Sequence, residues 1–297
     1  MERFNQIVLR CKKALIGITI ITLAIGATSN VRAQDMLNNT PDYVGAWYLG
    51  HIMRYKGKTS KGKTQKTAKK PAKKAPPKNT DSYSHKRAAL AKQAVYTPSK
   101  WWTNSVNTSF ADFLSGKRDA KAPELLRALG MDNPAKSSFV HLLAVQLGKD
   151  RASILHQLQT GTLQQDYGKW LASMGYSNKN LLDVHTAFLM HAWAIANDGV
   201  MTKDHKAAFT SIRNHLLDVQ MNLDKSPLAD HTNNQKQEEA QSFALFTALL
   251  VRAWQESKTG HKSDKAVLSS GINTLGRRIG IDFKKVKLTK DGFSPVK

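Results

Sequence analysis

The chain has 297 residues, 45 Lys and Arg against 22 Asp and Glu, a formal net charge of +23 and a single Cys. One Cys cannot pair within the chain, which excludes a disulfide framework. A hydrophobic content of 41% excludes a chain that is disordered throughout.

The first 33 residues read as a secretory signal peptide. Arg3, Arg10, Lys12 and Lys13 form a cationic start, and an uncharged apolar run follows from Ala14 to Ala27. Val31-Arg32-Ala33 then sets Val at −3 and Ala at −1 of a cut before Gln34. The run of 14 residues is shorter than the ~20 of a spanning helix. The alternative is a retained anchor. Either way the rest of the chain is expected outside the cytoplasm, periplasmic or secreted, because the cationic flank stays inside. Cys11 precedes the apolar run, whereas a lipoprotein Cys follows it. Cleavage would remove the only thiol, so stability must come from a packed core.

Residues 34–53 lack Lys and Arg and hold Tyr43, Trp47, Tyr48 and Leu49. Trp47 and Tyr48 are candidate docking anchors, unless the segment packs on its own domain. Residues 54–78 hold eleven cations, no acid, and Pro71, Pro76 and Pro77. Such a stretch buries too little surface to offset ordering entropy, so a disordered, extended linker is expected. Lys61, Lys63, Lys66, Lys69, Lys70, Lys73 and Lys74 are its candidate contacts to an anionic partner. Gly57 to Thr64 matches a phosphate-loop pattern, but that chemistry needs a strand before the loop and a helix after it. A Lys-rich tract followed by Pro71 provides neither.

From about residue 79 the periodicity is helical almost throughout. Leu125, Leu126 and Leu129 end at Gly130, a C-cap signal. Phe139 to Leu147 predicts the next helix, closed by Gly148. Ile154 to Leu158 is closed by Gly161, and Leu163 to Met174 by Gly175. The strongest element runs from Asn178 to Asn197. There Leu181, Val184, His185, Phe188, Ala192 and Ile195 share one stripe, and Leu182, Leu189, Trp193 and Ala196 form a second. A helix apolar over so wide an arc is central and buried. Thr202 to about Met221 predicts another helix, and Pro227 is expected to break the chain. Thr232 and Gln235 have capping-box spacing and open a long helix toward Gly260. Ser263 to Ile279 is the last helix. The tail from Ile281 to Phe293 alternates loosely and predicts an extended strip over the bundle. The fold class expected is all-α: a multi-helix bundle with a short extended C-terminal strip, preceded by the basic linker.

The residues that bear chemistry are sparse. His185 and His191 lie six apart, about 120° around a helix, and cannot chelate one metal from one face. They remain the candidate polar core or ligand site, with a hydrogen-bonded core imidazole as the simpler reading of His185. Glu238 and Glu239 are adjacent and read as a solvated face. No thiol nucleophile survives cleavage, and no Gly-x-Ser-x-Gly elbow occurs. No cofactor is expected. Tyr167, Trp170, Tyr176, Trp193 and Trp254 have core-like spacing. Trp101-Trp102, following Tyr96-Thr-Pro-Ser99 in a stretch between helices, is a candidate surface anchor.

From Tyr96-Thr-Pro-Ser99 onward, the chain resembles an exported bacterial family catalogued as domain of unknown function 6683. The resemblance rests on Tyr167-Gly168, Asp183, Trp193-Ala-Ile-Ala-Asn197 and Gln235-Lys-Gln-Glu238. It continues in Gly280-Ile-Asp-Phe283 and in Leu288-Thr289 with Gly292-Phe293, so it spans roughly residues 95 to 293. It implies export and a helical fold, and supplies no catalytic residues.

These readings predict a non-enzymatic interaction module of the cell envelope with a protein partner. The alternative is adhesion to an anionic polymer, lipid or nucleic acid through the linker, with no specific nucleic acid implied. A hydrolase or metal enzyme drawing on His185, His191 and Glu238 is the third expectation.

Overall fold

A computed structural model describes residues 80–117, 123–129, 150–223, 226–259 and 262–296, with positions 145 and 148 singly. The leader, the aromatic segment 34–53, the basic linker and most of the helix expected over Phe139 to Leu147 lie outside the described residues. Gly148, expected to close that helix, is itself helical.

Ten helices carry the described residues, with one short sheet. They are α1 (Thr80–Gln93), α2 (Lys100–Ser115), α3 (Glu124–Ala128), α4 (Arg151–Thr160) and α5 (Thr162–Ser173). Then come α6 (Leu181–Ala196), α7 (Lys206–Met221), α8 (Pro227–Asp230), α9 (Asn233–Thr259) and α10 (Lys262–Arg278). A 3-10 turn, Lys203–His205, precedes α7, and another, Phe283–Lys285, follows α10. The chain ends in an antiparallel hairpin of β1 (Val286–Thr289) and β2 (Gly292–Pro295). The all-α bundle is therefore the architecture of the described residues. No helix among them is long and apolar enough to cross a membrane.

Helix α6 is the axis. Every one of its residues except His191 and Trp193 is buried, as the double apolar stripe requires. It starts at Leu181 because the Asn180 side chain caps it, accepting from the Leu182 and Asp183 N–H groups. It packs against α7, α9 and α10. Phe188 meets Phe243 edge-on, ring centroids 5.1 Å apart, and lies 6.0 Å from Phe246. Each such ring contributes ~1.5–3 kcal/mol by leaving water, more than the ~1 kcal/mol of a typical hydrogen bond, so packing sets the bundle.

Helix α9 opens with the predicted capping box. The Thr232 N–H donates to Gln235 Oε1 at 2.9 Å, and the Gln235 N–H to Thr232 Oγ1 at 3.3 Å. Gly161 closes α4 and opens α5 from the left-handed region, φ 72°, where a side chain would be strained. Pro227 falls in the interruption between α7 and α9. It is the first residue of α8, where its missing N–H has no helical partner to lose.

The C-terminal strip is a correction in detail. It is a 3-10 turn and a hairpin pairing Val286 with Pro295 and Leu288 with Phe293, in place of one extended run. Trp193 of α6 and Asn197, which caps that helix, hold it. Trp193 Nε1 donates to the Val286 carbonyl at 2.9 Å, and Asn197 Nδ2 to the Phe283 carbonyl at 3.0 Å. Asn273 on α10 donates to Asp282 and accepts from the Lys284 N–H. Gly276 makes room for it: a Cβ there would sit 2.5 Å from Phe283 Cδ2 and 2.6 Å from the Ile281 carbonyl oxygen.

Candidate functional site

The first feature is a buried carboxylate between two imidazoles. Glu239 lies on α9 four residues before Phe243 and seven before Phe246, so the core stripe of that helix continues back to it. His185 Nε2 of α6 is 3.0 Å from Glu239 Oε1, and His231 Nδ1, at the C-cap of α8, is 3.3 Å from Oε2. The side chains of His185 and Glu239 are 1% and 5% exposed, and that of His231 is 17% exposed. Phe243 covers His185 edge-on at 4.7 Å. Burial raises the pKa of Glu239, but the two imidazoles outweigh it and hold the carboxyl at about 2. Each imidazole takes a different carboxylate oxygen, so the donors do not converge on one point. Among the described residues no three His, Cys, Asp or Glu form a group able to hold a metal ion. His185 is sealed from any substrate-sized group.

The predicted solvated face is thus corrected at Glu239. Its neighbour Glu238 points elsewhere and is half-buried, which raises its pKa. His191 does not join His185. It lies against Trp170, ring centroids 4.5 Å apart, and its packed surroundings push its pKa down to about 4 although one edge reaches the surface. His185 meets Glu239, which His231 also approaches, and His191 meets Trp170.

The second feature is an extended segment, residues 94–99, pinned from both sides. Leu181 N–H donates to the Ala94 carbonyl and Tyr96 N–H to the Lys179 carbonyl, at 2.9 and 3.0 Å. On the other side Asn233 accepts from the Thr97 N–H at 2.7 Å and donates to the Thr97 carbonyl at 2.9 Å. Gln237 does the same to Ser99, both at 2.8 Å, and also donates to Thr103 Oγ1. Two amides four apart on a helix are separated by ~6 Å, close to the ~6.6 Å between alternate residues of a strand. One helix face can therefore hold consecutive alternate peptide units.

That clamp fixes the start of α2, where Trp101 and Trp102 sit. Both belong to the first turn of that helix, not to a connection between helices. Trp101 is 68% exposed, and its ring meets half-buried Trp102 edge-on at 4.9 Å. The candidate anchors Trp47 and Tyr48 and the seven linker lysines lie outside the described residues.

Sequence reasoning missed Glu239, His231, Asn233 and Gln237. Stripe periodicity on α9 marks Glu239. Nothing local marks His231, which arrives only through the turn of α8. No protein-family model, curated protein or solved structure matches this chain.

Proposed function

We propose that this is an exported, non-enzymatic helical binding module of the bacterial cell envelope that engages a protein partner. The observation that carries the reading is Trp101, an indole left 68% exposed on backbone held by four amide hydrogen bonds. A rigid exposed aromatic already positioned by its scaffold is the kind of residue that dominates protein interfaces. The cationic leader and apolar run support export, as does the resemblance of residues 95 to 293 to domain of unknown function 6683. The sealing of His185 favours recognition over turnover.

The test is a photo-reactive side chain placed at position 101 and, as control, at Lys169, whose side chain is 76% exposed. In envelope extract a discrete adduct is expected at 101 and none at 169. Equal labelling at both, or none at 101, sinks the reading.

A second reading is favoured by the eleven cations without an acid in residues 54–78. They bind an anionic envelope surface alongside the protein partner. Binding should fall steeply as salt rises and when the seven linker lysines become Gln; salt-independent binding overturns it.

A further inference from the structure

The described residues carry a cationic surface of their own, on the C-terminal hairpin. Lys284, Lys285, Lys287 and Lys290 are all exposed within seven residues of the sequence, with Asp291 the only exposed acid beside them. Strand alternation turns Lys287 outward between Val286 and Leu288, which pack on the core, and Lys284 and Lys285 stand exposed on the 3-10 turn beside fully buried Phe283. The Val296 N–H donates to the Lys285 carbonyl at 2.9 Å and prolongs the ladder, bringing Val296, itself 56% exposed, to the same end of the hairpin. Lys290 stands in the turn. Asp282 offsets little: it lies 3.9 Å from Lys285, whose side chain is 82% exposed, and is also held by Asn273.

The scaffold makes this face rigid. Trp193 and Asn197 bind its backbone, and Gly292 lies against Ser211 and Ile212 of α7. The cations are thus presented together by a hairpin that needs no further ordering. The face holds no exposed aromatic ring on which a sugar or a base could stack, and it does hold an exposed aliphatic side chain. Lysines beside an exposed aliphatic residue match an anionic lipid surface, where ammonium groups meet headgroups and the apolar side chain meets the acyl boundary.

We propose that the outward face of the C-terminal hairpin, formed by Lys284, Lys285, Lys287, Lys290 and Val296, docks on a bilayer of anionic phospholipid. This contact is separate from the linker lysines and from Trp101.

The test is co-sedimentation of the full chain with phosphatidylcholine vesicles, with and without about a third phosphatidylglycerol. The gain in binding due to phosphatidylglycerol is the readout, and the cations of the leader and of residues 54–78 are common to the native chain and the variant. Each cation near such a surface strengthens binding about fivefold. Four lysines therefore predict that K284Q/K285Q/K287Q/K290Q lowers the gain about 600-fold, with unchanged circular dichroism. Val296→Ser should lower binding to the anionic vesicles about threefold more. An unchanged gain in the quadruple variant overturns the proposal, even where the linker Lys→Gln variant loses binding and so upholds the linker reading. Equal loss of soluble polyphosphate binding in the quadruple variant, with no effect of Val296→Ser, overturns the lipid assignment in favour of a general polyanion surface.

Discussion

Glu239 offers a direct way to test the energetics of the core. Its carboxyl has an ordinary value of 4.5 and is held at about 2 in the fold: burial opposes ionisation, and His185 and His231 outweigh it. A depressed acid stabilises the fold above its unfolded value and loses that contribution as pH falls through the folded value. At ~1.36 kcal/mol per pKa unit, the contribution at pH 7 is about 3 kcal/mol, and about 1.4 kcal/mol of it remains at pH 3. Glu239→Gln keeps the shape and removes the charge. Urea unfolding followed by circular dichroism should find it 2–3 kcal/mol less stable at pH 7, roughly, with an unchanged m-value. The gap to the native chain should narrow by about half at pH 3. Glu239→Ala should cost about 3–5 kcal/mol at pH 7 and keep a deficit in acid, because it also leaves a cavity. A Gln variant as stable as the native chain at pH 7, or a gap that stays constant into acid, would refute the reasoning.

His191 acts in a different window. Its pKa falls from 6.5 to about 4 through burial, so protonation opposes folding, and stability present above 6.5 is lost as pH drops toward 4. Its partly open edge reduces the effect to ~1 kcal/mol between pH 7 and 5, a loss that His191→Phe should abolish in the same unfolding assay. Gly276→Ala places a Cβ 2.6 Å from the Ile281 carbonyl oxygen, backbone that no rotamer change relieves. It should destabilise by about 2–3 kcal/mol or displace the hairpin, and a melting temperature within a degree of the native chain would contradict the packing described. Trp193→Phe and Asn197→Ala each leave one strip carbonyl without its donor and should cost ~1–2 kcal/mol. Their effect should appear first as faster hydrogen exchange in residues 283–296, and unchanged exchange in the double variant would count against the clamp. Trp101→Ala should leave stability within about 0.5 kcal/mol, because so exposed a ring contributes little to the core.

The sequence alone determined the helices that have an apolar stripe and a terminator. Helix α6 follows from its double stripe, α4 and α5 from Gly161 and Gly175, and α9 from the Thr232–Gln235 box, because local periodicity and cap chemistry act within a few residues. Helix α1 escaped because its apolar side is little more than Leu90 and Ala91; what fixes it is remote, their packing on the core and the pairing of Arg87 with Asp218 at 2.7 Å on α7. Trp193 and Asn197 clamp the hairpin, Gln237 clamps Ser99, and Asp183 pairs with Arg213. Only the tertiary structure decided that Glu239 is buried between imidazoles from α6 and α8, and that the last residues turn back as a hairpin. A side chain's local pattern says which face of its helix it occupies. Which groups face it from elsewhere depends on how distant elements pack, and that sets both its charge state and its partners.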